Sequence, residues 1–140
     1  MGYFMNNWKS YSLFAPALQP DGVYELQMAG NASGPQPWVV AAEDTGKFVK
    51  GLETVGPGKT LLGYGSMLTG DEYMELWSRV LGVEGRYNAV SVGHFDKLVP
   101  GGLGREIGEN HAYSAEFGYF DDFEGVLHPE DVSSRSPLRS

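Results

Sequence analysis

The spacing of apolar and polar positions changes several times along the chain, and each change marks an element. Between residues 6 and 17, Trp8, Tyr11, Leu13 and Phe14 recur at helical spacing ahead of Pro16 and Pro20, which predicts an amphipathic helix. Asp21-Gly22 is a turn signal, and residues 23–28 alternate apolar with polar as a half-buried strand does. A glycine- and proline-bearing loop at 30–35 separates this strand from residues 38–42, Trp-Val-Val-Ala-Ala, a short continuous apolar run suited to a fully buried strand. Phe48, Val49, Leu52 and Val55 return to helical spacing, with Asp44 or Thr45 as the expected N-cap. Gly56-Pro57-Gly58 stops that helix.

Residues 59–65 read as another strand. Thr69-Gly70-Asp71-Glu72 is a capping box, and Tyr73, Leu76, Trp77, Val80 and Leu81 follow on one helical face until Gly82. Residues 86–92 read as an extended strand, 94–98 as a short turn or helix, and 103–120 as helix-like despite Gly104, Gly108 and Gly118. Periodicity fades after Glu124. The expected fold is therefore α/β, with an α+β-like small mixed sheet and flanking helices. Residues 1–125 form a single domain in this reading, and 126–140 an extended or disordered tail.

The formal net charge of -8 opposes a phosphate backbone or an anionic membrane, so neither is an expected partner. The absence of cysteine excludes disulfides and thiolate metal sites. No apolar run approaches the ~18 residues of a membrane span, and the first residues lack a basic segment ahead of an apolar one. A cytoplasmic location is the expectation.

Four segments, in order, resemble the NmrA-like family of atypical short-chain dehydrogenase/reductases over roughly residues 2–123. Gly2-Tyr3-Phe4-Met5-Asn6-Asn7-Trp8 is similar to the family's glycine-aromatic-aromatic-Met-x-Asn segment. Residues 40–49 resemble its strand ending in Asp-x-Gly before a helix, Leu68-Thr69-Gly70-Asp71-Glu72 its Thr-x-x-Glu element, and Glu116-Phe117-Gly118-Tyr119-Phe120 its Phe-Gly-Tyr signature. The resemblance implies the C-terminal, substrate-side half of such a protein. The departures are as informative. There is no Gly-x-Gly-x-x-Gly turn to set a helix N-terminus against a pyrophosphate, and the Tyr-x-x-x-Lys pair of classical short-chain dehydrogenases is missing. Autonomous NAD(P) redox chemistry is not expected, and no cofactor is assigned.

By the same resemblance, Phe4, Met5, Trp8, Tyr113, Phe117 and Tyr119 are expected to line a pocket for a hydrophobic small molecule. His111, an imidazole able to act as acid or base near neutral pH and close in sequence to Tyr113 and Glu116, is expected with Tyr113 as a hydrogen-bonding or catalytic group. The spacing of His94, His111 and His128 matches no metal-ligand motif. The acidic run Asp121-Asp122-Phe123-Glu124 reads as a solvated loop, and Ser66, Ser91 and Ser114 show no triad partners. The leading expectation is a cofactor-independent isomerase or cyclase of a polyketide- or terpenoid-like intermediate in secondary metabolism. The alternatives are a non-catalytic regulatory binding module and a split subunit that completes a separate NAD(P)-binding chain. An apolar face around Tyr3, Phe4, Met5 and Trp8, uncovered in such a half, would favour a homodimer.

Overall fold

A computed structural model describes residues 1–31, 33–119 and 124–133. In chain order it begins with the strands β1 (Tyr3–Phe4), β2 (Ala17–Leu18), β3 (Tyr24–Ala29) and β4 (Gln36–Val39), then the helix α1 (Ala41–Leu52). Strands β5 (Thr60–Leu61) and β6 (Ser66–Leu68) lead to α2 (Gly70–Leu81) and β7 (Gly85–Val90). The helices α3 (Val92–Leu98) and α4 (Leu103–Phe117), the strand β8 (Val126–Leu127) and α5 (Pro129–Ser133) complete it. The mixed α/β architecture with small sheets and flanking helices is the one expected. No helix among the described residues is long and apolar enough to cross a membrane.

The chain divides into two compact units. The first contains Met1–Met5, Pro37–Met67 and the described C-terminal residues 124–133. Its three-stranded sheet has the order β1-β4-β6, with β1 parallel to β4 through Tyr3↔Trp38 and Phe4↔Val39. A separate parallel pair joins β5 to β8. Val39, Leu62 and Val132 are buried at its core, and Val132 packs where a Cβ on Gly51 of α1 would meet it at 2.8 Å. The apolar run ends earlier than expected, because Ala41 already opens α1. Asp44 does not sit at the N-cap; from inside the first turn its carboxylate accepts the Val40 N–H at 3.0 Å. Only residues 60–61 of the expected 59–65 strand are extended, since Gly63 is pressed under the Phe48 ring and accepts from the Gly2 N–H at 2.8 Å. Residues 126–133, expected as tail, instead supply β8 and α5, and α5 is anchored by Val132. The expected run Asp121-Asp122-Phe123, Phe120 of the Phe-Gly-Tyr segment and the polar residues 134–140 lie outside the described residues.

The second unit contains Asn6–Gln36 and Leu68–Tyr119. Its sheet runs β2-β3-β7, with β3 and β7 parallel over six pairs from Tyr24↔Gly85 to Ala29↔Val90. Strand alternation assigns the faces. Tyr24, Leu26 and Met28 turn to α2, whose Trp77 meets Tyr24 at 5.5 Å. Gly70 at the start of α2 lies so close to the Tyr87 ring that a Cβ there would come within 2.7 Å. Ala29 on the opposite face lies 3.5 Å from the Cβ position of Gly108 in α4, and Phe95 of α3 fills the space beside it at 1% exposure. The capping box at α2 forms as expected: Glu72 N–H donates to Thr69 Oγ1 at 3.2 Å and Thr69 N–H to Glu72 Oε2 at 2.8 Å. Gly82 closes α2 at φ 68, the left-handed conformation that favours glycine. The expected N-terminal helix is replaced by two 3-10 turns, Asn7–Lys9 and Ser12–Phe14. Asn and Ser compete locally for backbone hydrogen bonds, and Pro16 leaves no room for a third turn.

Candidate functional site

The expected site residues fall into both units. Phe4 and Met5 lie in the first, where Phe4 is an exposed member of β1 and Met5 donates its N–H to Val39 O at 2.9 Å. Trp8, His111, Tyr113, Phe117 and Tyr119 lie in the second.

Helix α4 carries three of these five. His111 is half-buried, its ring 6.4 Å from that of Phe14, and burial pushes its pKa down to about 4. It is therefore neutral across the physiological range, able to accept or donate but poorly suited to hold a proton. Tyr113 and Phe117, one turn apart, are in ring contact, with centroids 4.8 Å apart and planes tilted by 40°, and both are exposed, at 63% and 51%. Residues two apart on a helix project ~200° apart, so His111 and Tyr113 face different surroundings. Tyr119, beyond the end of α4, is half-buried, and burial raises its hydroxyl pKa.

Trp8 meets a different group. Its ring lies 5.8 Å from Trp77, nearly perpendicular at 81°, and Tyr24 flanks Trp77 at 5.5 Å. Trp77 lies on the buried face of α2, and its two ring neighbours come from segments some fifty to seventy residues earlier.

Two polar groupings escaped the sequence reading. On the face of the second unit's sheet opposite α2, buried Glu25 accepts from Arg86 Nε at 2.6 Å, Gln27 Nε2 at 2.6 Å and Asn88 Nδ2 at 3.1 Å. These hydrogen bonds, from Asn88, Arg86 and Gln27, hold the Glu25 carboxyl below the usual carboxylate range. Arg86 also reaches Asp21 at 2.7 Å, and His94 Nε2 lies 3.0 Å from Gln27 Oε1. The signal for this grouping was the polar member of each strand alternation, which ordinarily reads as solvent-facing. In the first unit, Tyr64 Oη lies 3.2 Å from His128 Nδ1 and donates to Glu130 at 3.2 Å. His128 is half-buried because β8 and α5 fold back beside Tyr64. Among the described residues no group of three or more His, Asp or Glu side chains is arranged to hold a metal ion.

The chain matches the NmrA-like family over residues 1–136. The nitrogen metabolite repression protein nmr of Neurospora crassa is 36% identical over 93 residues, 61% of this chain and 19% of that protein. Among solved structures, NmrA, a negative transcriptional regulator in complex with NAD, aligns at a TM-score of 0.54 and 23% identity, over 86% of this chain and 38% of that one. Isoflavone reductase aligns at a TM-score of 0.59 and 13% identity, over 99% of this chain and 47% of that one. At these identities the structural likeness is one of fold. The chain spans less than half the length of each of these proteins.

The residues present do not fit a dinucleotide. A pyrophosphate is gripped where a parallel strand feeds a helix whose first N–H groups are free. Four strand-to-helix junctions exist among the described residues, and this chain's own side chains crowd or cap each of them. Glu43 and Asp44 lie in the first turn of α1, Thr69 and Glu72 cap α2, Ser91 Oγ accepts the His94 N–H at 3.1 Å to cap α3, and Asp131 in the first turn of α5 accepts the His128 N–H at 2.8 Å. Three of the four therefore present a carboxylate where the ligand would bring its own negative charge.

Proposed function

We propose that this chain, which belongs to the NmrA-like family, works as a regulatory binding module that engages a protein partner through the aromatic face of α4. The observation that carries the reading is the exposed ring pair Tyr113–Phe117, in contact at 4.8 Å, on a helix that is otherwise well anchored. Aromatic side chains that already touch one another and lie exposed on a rigid helix lose little conformational freedom on binding, and such residues dominate interface energetics. The anchoring is visible at Gly104, where a Cβ would meet the Val99 carbonyl at 2.6 Å, and at Gly108, where one would press on Phe95 of α3 at 3.3 Å. Relatives with this fold include a nitrogen metabolite repression protein and a negative transcriptional regulator, which supports a regulatory role.

The cofactor-independent isomerase or cyclase is the weaker reading. It asks His111 and Tyr113 to act on one substrate, and their positions two residues apart on α4 do not favour that. The test is direct binding of the purified chain to a purified DNA-binding regulator by calorimetry. Tyr113→Ala and Phe117→Ala are each expected to weaken binding at least tenfold. Unchanged affinity in both variants, or no measurable complex with any regulator tried, would remove this reading.

A further inference from the structure

Three buried side-chain atoms of the second unit, Gln36 Oε1, Ser78 Oγ and Trp77 Nε1, have no hydrogen-bond partner among the described residues, and the last of them sits among aromatic rings. Trp77 is 9% exposed on α2, and its indole Nε1–H has no hydrogen-bond partner among the described residues. Buried donors are almost always paired, so an unpaired one calls for a reason. The neighbours in ring contact are Trp8 at 5.8 Å and Tyr24 at 5.5 Å. A ring face accepts an N–H only weakly, and an oxygen would displace it readily.

The two walls differ in how firmly they are held. Tyr24 belongs to β3 and is locked into the six-pair ladder with β7. Trp8 comes from the turn Asn7–Lys9, in which no residue is buried, and its ring rests against Trp77. Two aromatic rings and an unsatisfied donor between them match the composition of a small-ligand site, apolar walls with few polar groups. An indole N–H is a single neutral donor, so it selects an acceptor oxygen, and the two rings select a flat apolar body.

We propose that Trp77 Nε1–H is the recognition donor of a binding site for a small, flat, apolar molecule bearing a carbonyl oxygen, with Trp8 and Tyr24 as its ring walls. The site uses none of the residues of the α4 aromatic pair, so it stands or falls independently of the partner surface.

The probes are 1-indanone and indane, which share a skeleton and differ in the carbonyl. In 15N-labelled protein, the Trp77 indole cross-peak is identified by its loss in Trp77→Phe. That cross-peak is expected to shift on addition of 1-indanone and to respond far less to indane. 1-Indanone is expected to bind about tenfold more tightly than indane, the order of one neutral hydrogen bond to a buried donor. In Trp77→Phe, which keeps an aromatic ring and removes the N–H, the two affinities converge. Should that variant fail to fold, the Trp77 signal is identified by sequential assignment of the wild-type protein, and the wild-type titrations decide. Equal affinities for the two probes, a Trp77 signal unmoved by 1-indanone, or no binding of 1-indanone would overturn the proposal.

Discussion

Replacing Glu25 by glutamine isolates what a buried carboxylate contributes to the β3–β7 ladder. The side chain is 8% exposed and accepts three donors, two of them at 2.6 Å. Glutamine keeps the volume but removes the charge, and it replaces one acceptor oxygen with an NH2 group facing donors. Hydrogen bonds to a charged group contribute ~1.5–3 kcal/mol net. One such bond is lost outright and the others are weakened. Arg86, however, is exposed and keeps Asp21, so its own charge is not stranded. The expected loss is therefore about 2 kcal/mol, below the ~3–5 kcal/mol of a buried ion pair broken with one charge left stranded. In urea melts followed by circular dichroism, that corresponds to a midpoint lower by about 1 M at unchanged slope.

The pH dependence makes the test specific. The hydrogen bonds from Asn88, Arg86 and Gln27 depress the folded-state pKa of Glu25 below its ordinary 4.5. A group depressed in this way contributes stability that is complete above its unfolded value and disappears as pH falls through its folded value. The gap between wild type and Glu25→Gln should thus be level from neutral pH to ~5 and close below that. Asp21 titrates in both proteins and largely cancels from the difference. A gap that persists unchanged to ~pH 3, or equal midpoints at neutral pH, would refute the account of Glu25 as a stabilising charged acceptor.

Two further outcomes follow from single groups. Thr69→Ala removes the 3.2 Å acceptor of the Glu72 N–H at the start of α2 and should cost about 1 kcal/mol, read as a melting temperature lower by several degrees; an unchanged transition would contradict the capping assignment. His111, neutral because burial lowers its pKa to about 4, should show an NMR titration midpoint near that value. Stability should also fall as pH drops from ~6.5, the unfolded value, toward the folded one, because the unfolded chain binds the extra proton first. A His111 midpoint in the ordinary range would show that the Phe14 side of α4 is open to water.

What could be read from the residues alone was whatever depended on near neighbours. Thr69 and Glu72 are three apart, Gly82 ends the same helix, and Asn88 and Tyr87 alternate in a six-residue strand; each feature needs only local geometry. The N-terminal segment shows the converse. Trp8, Tyr11 and Phe14 have helical spacing, but they are held by partners elsewhere, Trp77 for Trp8 and His111 for Phe14. Spacing that suits a helix also arises when separate side chains meet separate partners across a turn. Burial of Glu25 was likewise invisible, because the charge that permits it sits 61 residues later.

The same distinction bears on where a functional site should be sought in this fold. His111 and Tyr113 drew attention because they are close in sequence, yet on a helix two residues is nearly the spacing that separates side chains most. Trp8, Tyr24 and Trp77 are far apart in sequence and meet because parallel pairing of β3 with β7 carries Tyr24 to α2, while the N-terminal turns return Trp8 to the same helix. A donor left unpaired at such a convergence is stronger grounds for a ligand than a titratable residue on an exposed helix, because the fold gains nothing from burying it empty. If Trp77→Phe proved more stable than wild type, that reasoning would gain direct support: the indole N–H would be a cost that folding bears and only binding offsets.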